Sequence, residues 1–278
     1  MQHLETSYTT HDGLQLFLQA WMPAAPRAAL LLVHGLGEHS SRYLHVAQKL
    51  VEHGIAVFTF DGRGHGQSDM PTPSGFVGDY TQYLKDIDAL YSKVRQYLPE
   101  KPAFLLGHSM GGGMVAAYAL AYQPQTAGII LSAPALQPAA DVPVFLQKLA
   151  PYISKWVPHL KVLELNSSHI SRDPEVVSAY DRDPLVHHGG FPARTGHELL
   201  KMMGYIELHA GSFGYPVLLL HGSADKLTDP KGTSGFFERI SAVDKTLVEL
   251  PGLYHEILNE PEKETVINRI CEWIIARS

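Results

Sequence analysis

Five strand-length runs of unbroken apolar residues decide most of what this chain can become: 28–33 (AALLLV), 55–60 (IAVFTF), 103–106 (AFLL), 128–131 (GIIL) and 216–220 (PVLLL). A strand with apolar side chains on both faces has to be covered on both, as in a parallel sheet sandwiched between helices. Helical patterning fills 40–53, 80–98, 110–122, 230–240 and 262–277; in the last, Val266, Ile267, Ile270 and Ile274 share one stripe. Residues 14–21 (LQLFLQAW) alternate apolar and polar after a His-Asp-Gly turn at 11–13, which predicts a half-buried antiparallel strand near the N-terminus. The class is therefore α/β. The spacing predicts a mostly parallel, doubly wound sheet that carries its chemistry at the carboxyl ends of the strands.

One stretch breaks the alternation. From 135 to 212 no buried strand is evident, and Pro138, Pro143, Pro151, Pro158, Pro174, Pro184 and Pro192 separate short amphipathic pieces such as DVPVFLQKLAPYISKW. A structureless loop of that length does not suit a compact domain. The expectation is a helical cap at 135–212 inserted into a core made of 1–134 and 213–278.

Several function classes can be set aside. A single cysteine excludes an intrachain disulfide framework and a cysteine zinc cage. A net charge of −6 argues against a nucleic-acid surface, which needs clustered Lys and Arg. No run of 18 apolar residues exists, and no Lys or Arg precedes Arg27, so neither a membrane span nor a basic leader is expected. The chain reads as a cytoplasmic protein whose membrane contact, if any, is peripheral.

Residues 103–114 (AFLLGHSMGGGM) place Gly107-His108-Ser109-Met110-Gly111 between a buried strand and a helix. A turn this tight needs glycine on both sides of the serine, and it presents Ser109 at a helix head where N–H groups favour negative charge. The plain alternative is a Gly-rich turn without catalysis. A serine hydroxyl needs a general base, and the base needs a carboxylate to orient it; in this arrangement they follow in the order Ser, acid, His. Asp225 and Asp229 compete for the acid. Asp229 precedes Pro230 as an ordinary helix start, which favours Asp225. After Asp225 the one histidine is His255. The turn His34-Gly35-Leu36-Gly37 follows a buried strand and is expected to aim the Leu36 N–H, together with that of Met110, at a developing oxyanion.

Metal and cofactor readings do not hold. His197-Glu198 and His255-Glu256 begin an H-E-x-x-H pattern but meet Lys201 and Asn259, and the adjacent His187 and His188 point apart. The 61–66 segment (DGRGHG) reads as a structural turn, since a phosphate cradle would not begin with Asp61. Cys271 reads as a packed small hydrophobe. No metal or cofactor is expected.

With these residues assigned, the chain resembles the monoacylglycerol lipase family of serine α/β-hydrolases. The blocks HGLGEHSSRY (34–43), FDGRGHGQSD (60–69), GHSMGGGM (107–114), SAYDRDPL (178–185), HGSADKLTDPKGT (221–233) and YHEILNE (254–260) carry the resemblance in order. It implies an α/β-hydrolase fold with a cap, the triad Ser109, Asp225 and His255, and hydrolysis of a small lipid ester. It also implies substrate contacts from Glu38 and Arg42, near the glycerol, and from His108 and Tyr180. For Glu38 and Arg42 the plain alternative is an exposed i, i+4 ion pair. Leu258 stands where some members carry a second histidine. Val144, Phe145, Leu149, Ile153, Trp156 and Val157 could wall an acyl tunnel, meet a bilayer or micelle, or pack against the core. The rival readings are a lysophospholipase or broad carboxylesterase and, more remotely, a non-catalytic lipid-binding protein on the same fold.

Overall fold

All five apolar runs lie in one eight-stranded sheet. The structure, a computed structural model, describes residues 1–69, 74–138 and 144–278. Its strands are β1 (Gln2–Thr9), β2 (Gln15–Met22), β3 (Ala28–Val33), β4 (Ile55–Phe60), β5 (Ala103–His108), β6 (Gly128–Ser132), β9 (Val217–Gly222) and β10 (Lys245–Leu250), while β7 (Lys161–Leu163) and β8 (Phe191–Pro192) form a separate short pair. The spatial order is β1-β2-β4-β3-β5-β6-β9-β10. Strand β2 runs antiparallel to both neighbours, and β4, β3, β5, β6, β9 and β10 run parallel.

The unbroken apolar runs follow from two-sided burial. Leu30 and Leu32 face a layer made by α1 (Leu44–Glu52) and α8 (Lys263–Ile275), while Leu31 and Val33 face α2 (Tyr80–Tyr97) and α3 (Met110–Tyr122). Each such side chain, fully removed from water, stabilises the fold by about 1.5–3 kcal/mol. Val266, Ile267, Ile270 and Ile274 all turn inward from α8, and Cys271 is buried among them with its thiol pushed up to about 12 by burial. Helix α7 (Pro230–Arg239) starts as expected: Asp229 caps it by accepting the Lys231 N–H at 2.9 Å.

Strand β1 was not expected from the sequence. It pairs with β2 along its whole length, from Gln2 with Met22 to Thr9 with Gln15, yet its side chains are almost all exposed. Without a buried face there is no two-residue rhythm to read.

Between β6 and β9 the described part of 135–212 holds α4 (Val144–Trp156), α5 (Pro174–Arg182), α6 (Ala193–His209) and the β7–β8 pair. Residues 139–143, including Pro143, lie outside the described residues. Helix α6 packs on α3 through Leu199, Met202 and Ile206. Of the three alternatives for the apolar stripe of α4, neither a tunnel wall nor packing on the core describes its exposed residues. Phe145, Leu149, Trp156 and Val157 face solvent, Trp156 being 77% exposed, so they wall no enclosed tunnel; Ile153 is half-buried, and the Val144 side chain lies outside the described residues. The helix is amphipathic as read, but this apolar stripe points outward. No helix among the described residues is long and apolar enough to cross a membrane.

Candidate active site

Strand β5 ends at His108 and α3 begins at Met110, leaving Ser109 as a one-residue hinge with φ 54° and ψ −121°. A non-glycine residue in that region is strained and has to be held by its surroundings. Three backbone bonds do so: the Ser109 N–H donates to Ser132 O at 2.9 Å, and Ser109 O accepts from Gly113 N at 3.1 Å and Ala135 N at 2.9 Å. The flanking glycines are obligatory. A Cβ on Gly107 would run into the Gly111 carbonyl, and one on Gly111 into the carbonyls of Val33 and His34.

The loops after β9 and β10 bring the other two predicted residues to this hinge. His255 Nε2 lies 2.8 Å from Ser109 Oγ, and its Nδ1 lies 2.7 Å from Asp225 Oδ2. Burial alone would push the His255 imidazole down, but the Asp225 carboxylate outweighs it and holds the ring above the ordinary histidine value. Asp225 is displaced the other way. Burial opposes its charge, yet His255 and a hydrogen bond from His221 keep the carboxyl far below its usual range. A serine hydroxyl held by an imidazole that leans on a buried carboxylate can be deprotonated and can attack an acyl carbon.

The turn after β3 lies against the serine: a side chain on Gly35 would sit 3.2 Å from Ser109 Cβ. Glu38 Oε1 accepts the Gly35 N–H at 2.6 Å and the Tyr43 hydroxyl at 2.6 Å, which pins the turn carrying the Leu36 N–H. The Met110 N–H opens α3, where the first-turn donors have no carbonyl of their own helix to bond. His34 locks the turn from behind. Its Nε2 accepts from Gly62 N at 2.8 Å, so its Nδ1–H donates to Gly35 O at 2.7 Å. Asp61 joins the chain just beyond this turn to the end of the 61–66 segment, accepting from Ser40 N at 2.8 Å and Gln67 N at 2.8 Å.

Glu38 and Arg42 are not an exposed pair. Glu38 is 3% exposed, and Arg42 bridges it at 2.8 Å to Glu256, which it holds with two bonds of 2.6 and 2.8 Å. Burial disfavours the charges, but Arg42 keeps Glu38 below the ordinary glutamate value. The Arg42 guanidinium also lies 4.8 Å over the Tyr180 ring, which joins α5 to this network. His39 Nε2 meets Asp183 at 2.9 Å, and the His187 N–H donates to Gly37 O at 2.8 Å, so the segment is docked directly on the turn.

Leu36, Glu38, His108, Ser109, Tyr180 and His255 line one small cavity of about 20 Å³, together with Leu165, Ile170, Leu227 and Glu256. His108, buried beside the His255 ring at 4.9 Å, is pushed down to about 4 by burial and then by that neighbour. Asp225 stands behind His255, and Arg42 behind the two glutamates. A wider cavity of about 210 Å³ lies between β1, β2, β4 and α2 and shares no lining residue with this one. The sequence reading missed Glu256, Tyr43 and His221. Glu256 had a usable signal, because a buried Glu38–Arg42 pair invites a second acid, and this one directly follows His255.

Residues 24–262 match the family model described as serine aminopeptidase, S33. The chain is 35% identical to the monoacylglycerol lipase of Mycolicibacterium smegmatis over 98% of this chain and 97% of that protein. It is 34% identical to the monoglyceride lipase of Rattus norvegicus over 96% and 88% of the two. The crystal structure of Paleococcus ferrophilus monoacylglycerol lipase superposes with a TM-score of 0.85 at 34% identity, covering 95% of this chain and 99% of that one. Likeness that runs nearly end to end in sequence, and holds again in the arrangement of the sheet, is kinship: the chain belongs to the monoacylglycerol lipase family of serine α/β-hydrolases.

Proposed function

We propose that this chain hydrolyses monoacylglycerols to fatty acid and glycerol through an acyl-enzyme on Ser109. The observation that carries the reading is the unbroken relay from Ser109 Oγ through His255 to Asp225, at 2.8 and 2.7 Å, beneath a cavity walled by buried charge on one side and apolar residues on the other. His255 takes the Ser109 proton as the oxygen attacks the ester carbonyl, and the Leu36 and Met110 N–H groups hold the oxyanion. The collapsing intermediate expels the glycerol oxygen, which His255 protonates. A water, deprotonated by the same imidazole, attacks the acyl carbon; collapse then returns the proton to Ser109 and releases the fatty acid. Asp225 orients the ring and stabilises its cationic form. Glu38, His108 and Tyr180 serve the glycerol end, with Arg42 holding the wall from behind.

In this reading 1–134 and 213–278 form the catalytic core and 135–212 the cap. A cavity of about 20 Å³ is too small for an acyl ester, so its walls have to part to admit one. The outward stripe of α4, with Phe145 61% and Trp156 77% exposed, suits peripheral contact with the bilayer or micelle that holds the substrate. A cytoplasmic setting suits the one free, buried thiol.

A serine-directed fluorophosphonate should label the protein and fail to label Ser109→Ala; equal labelling of both would sink the hydrolase reading. Turnover on a monoacylglycerol should exceed that on lysophosphatidylcholine and on short p-nitrophenyl esters. A tenfold preference for the lysophospholipid would replace the substrate.

A further inference from the structure

Asp225 carries a second imidazole. His221 Nε2 lies 3.0 Å from Asp225 Oδ2, the same oxygen that His255 Nδ1 approaches at 2.7 Å. His221 sits in β9 four residues before Asp225, is buried, and places its Nδ1 2.6 Å from Thr233 Oγ1 on α7. The ionised Asp225 carboxylate can only accept, so the ring proton sits on Nε2 and points at it, and Nδ1 accepts from the Thr233 hydroxyl. The remaining acceptor positions are also filled. Thr228 Oγ1 reaches Oδ2 at 2.9 Å, nearer than its other acceptor, Ala133 O, at 3.2 Å. The Leu227 and Thr228 N–H groups take Oδ1 at 2.7 and 3.1 Å. The Asp225 side chain has no exposed surface, so these donors replace the water it would otherwise hold.

We propose that His221, backed by Thr233, is a positioning residue for the hydrolysis: its N–H shares Asp225 Oδ2 with His255, fixes the carboxylate, and draws off part of the charge that pulls on the catalytic imidazole. This role rests on the hydrolase reading above. Three donors, from His255, His221 and Thr228, compete for this one oxygen. Removing His221 makes the carboxylate a stronger acceptor for the two that remain, so the His255 ring becomes more basic and has to be deprotonated at higher pH before it can act. The other titratable or charged groups facing His255 are His108, Glu38 and Glu256, with Arg42 behind the two glutamates; none is altered by a change at 221. Near His221, Asp229 is engaged in capping α7, and Lys226 lies over the Tyr254 ring.

The test is the pH–rate profile of kcat and kcat/KM on a water-soluble p-nitrophenyl ester for the wild type, His221→Leu, His221→Gln and Thr233→Val. His221→Leu should lower kcat about tenfold with KM little changed, the scale expected for losing a hydrogen bond to a charged group. Its acid limb should move up by about half a unit. His221→Gln, whose amide N–H can still reach Oδ2, should recover most of kcat and return the limb. Thr233→Val should shift the limb the same way with a loss of about threefold. The proposal is overturned if the His221→Leu limb coincides with the wild type, or if the Gln and Leu variants are equally impaired. Should His221→Leu fail to fold, a Thr233→Val limb identical to the wild type overturns it equally well. A wild type inert to both the ester and a fluorophosphonate would overturn the hydrolase reading itself, and this role with it.

Discussion

Helix α4 and strand β3 are both rich in apolar residues, and they use them in opposite ways. Strand β3 buries all six of its side chains between two helical layers, whereas α4 turns Phe145, Tyr152 and Trp156 to solvent. Apolar content alone therefore does not say which residues form a core; the number of covered faces does. The contrast also separates two tasks. The hinge at Ser109 is fixed by strands and helices that close packing prevents from shifting, while the 183–187 segment is tied to the turn after β3 by single polar bonds, His39 to Asp183 and His187 to Gly37.

The most severe way to probe the rigid half is Asp225→Asn. It should leave the fold intact and lower kcat by about 10⁴-fold, because the amide favours the wrong imidazole tautomer; a loss under tenfold would mean that the relay is not the catalytic device. Glu256→Gln should come next. It leaves Arg42 short of a buried partner and should cost about 3 kcal/mol in urea unfolding, far beyond an exposed pair. The third effect is in pH. His255 has to be unprotonated to act as a base, and Asp225 holds it above the ordinary histidine value, so activity on a soluble ester should rise with pH through a midpoint above about 6.5. In stability the signs follow the two shifts. The raised His255 contributes below about pH 6.5 and loses this as pH climbs through its folded value, whereas the lowered Asp225 contributes above about pH 4 and loses this in acid. The smallest effect should come from the outer half: Phe145→Ser with Trp156→Ser should alter stability by no more than about 0.5 kcal/mol. The same pair should leave short-ester turnover unchanged while slowing hydrolysis of micellar monoacylglycerol several-fold. Equal slowing on both substrates would erase the distinction between the two regions.

What could be read in advance follows the same division. The 28–33 and 55–60 runs match β3 and β4 residue for residue, because burial on both faces leaves an unbroken pattern. Ser109, Asp225 and His255 were legible because a strained hinge demands its glycines and chain order leaves one histidine after the acid. Strand β1 was not, since exposure on both faces erases periodicity. The outward direction of α4 was hidden for a related reason: an amphipathic stripe shows that a face exists without showing what lies opposite it. Glu256 escaped because its partner Arg42 reaches it only when the loop after β10 meets the segment after β3, while His221, only four residues from Asp225, escaped because a strand residue gives no sign that the loop beyond folds its carboxylate back onto it.

Cys271 offers a practical handle. The chain has one thiol; it is buried against the sheet from the middle of α8, and burial holds its proton on up to about pH 12. A maleimide or disulfide dye will find nothing to modify until that C-terminal helix lifts away. The labelling rate then becomes a stopwatch for this one opening motion, readable in the native enzyme without any engineered reporter.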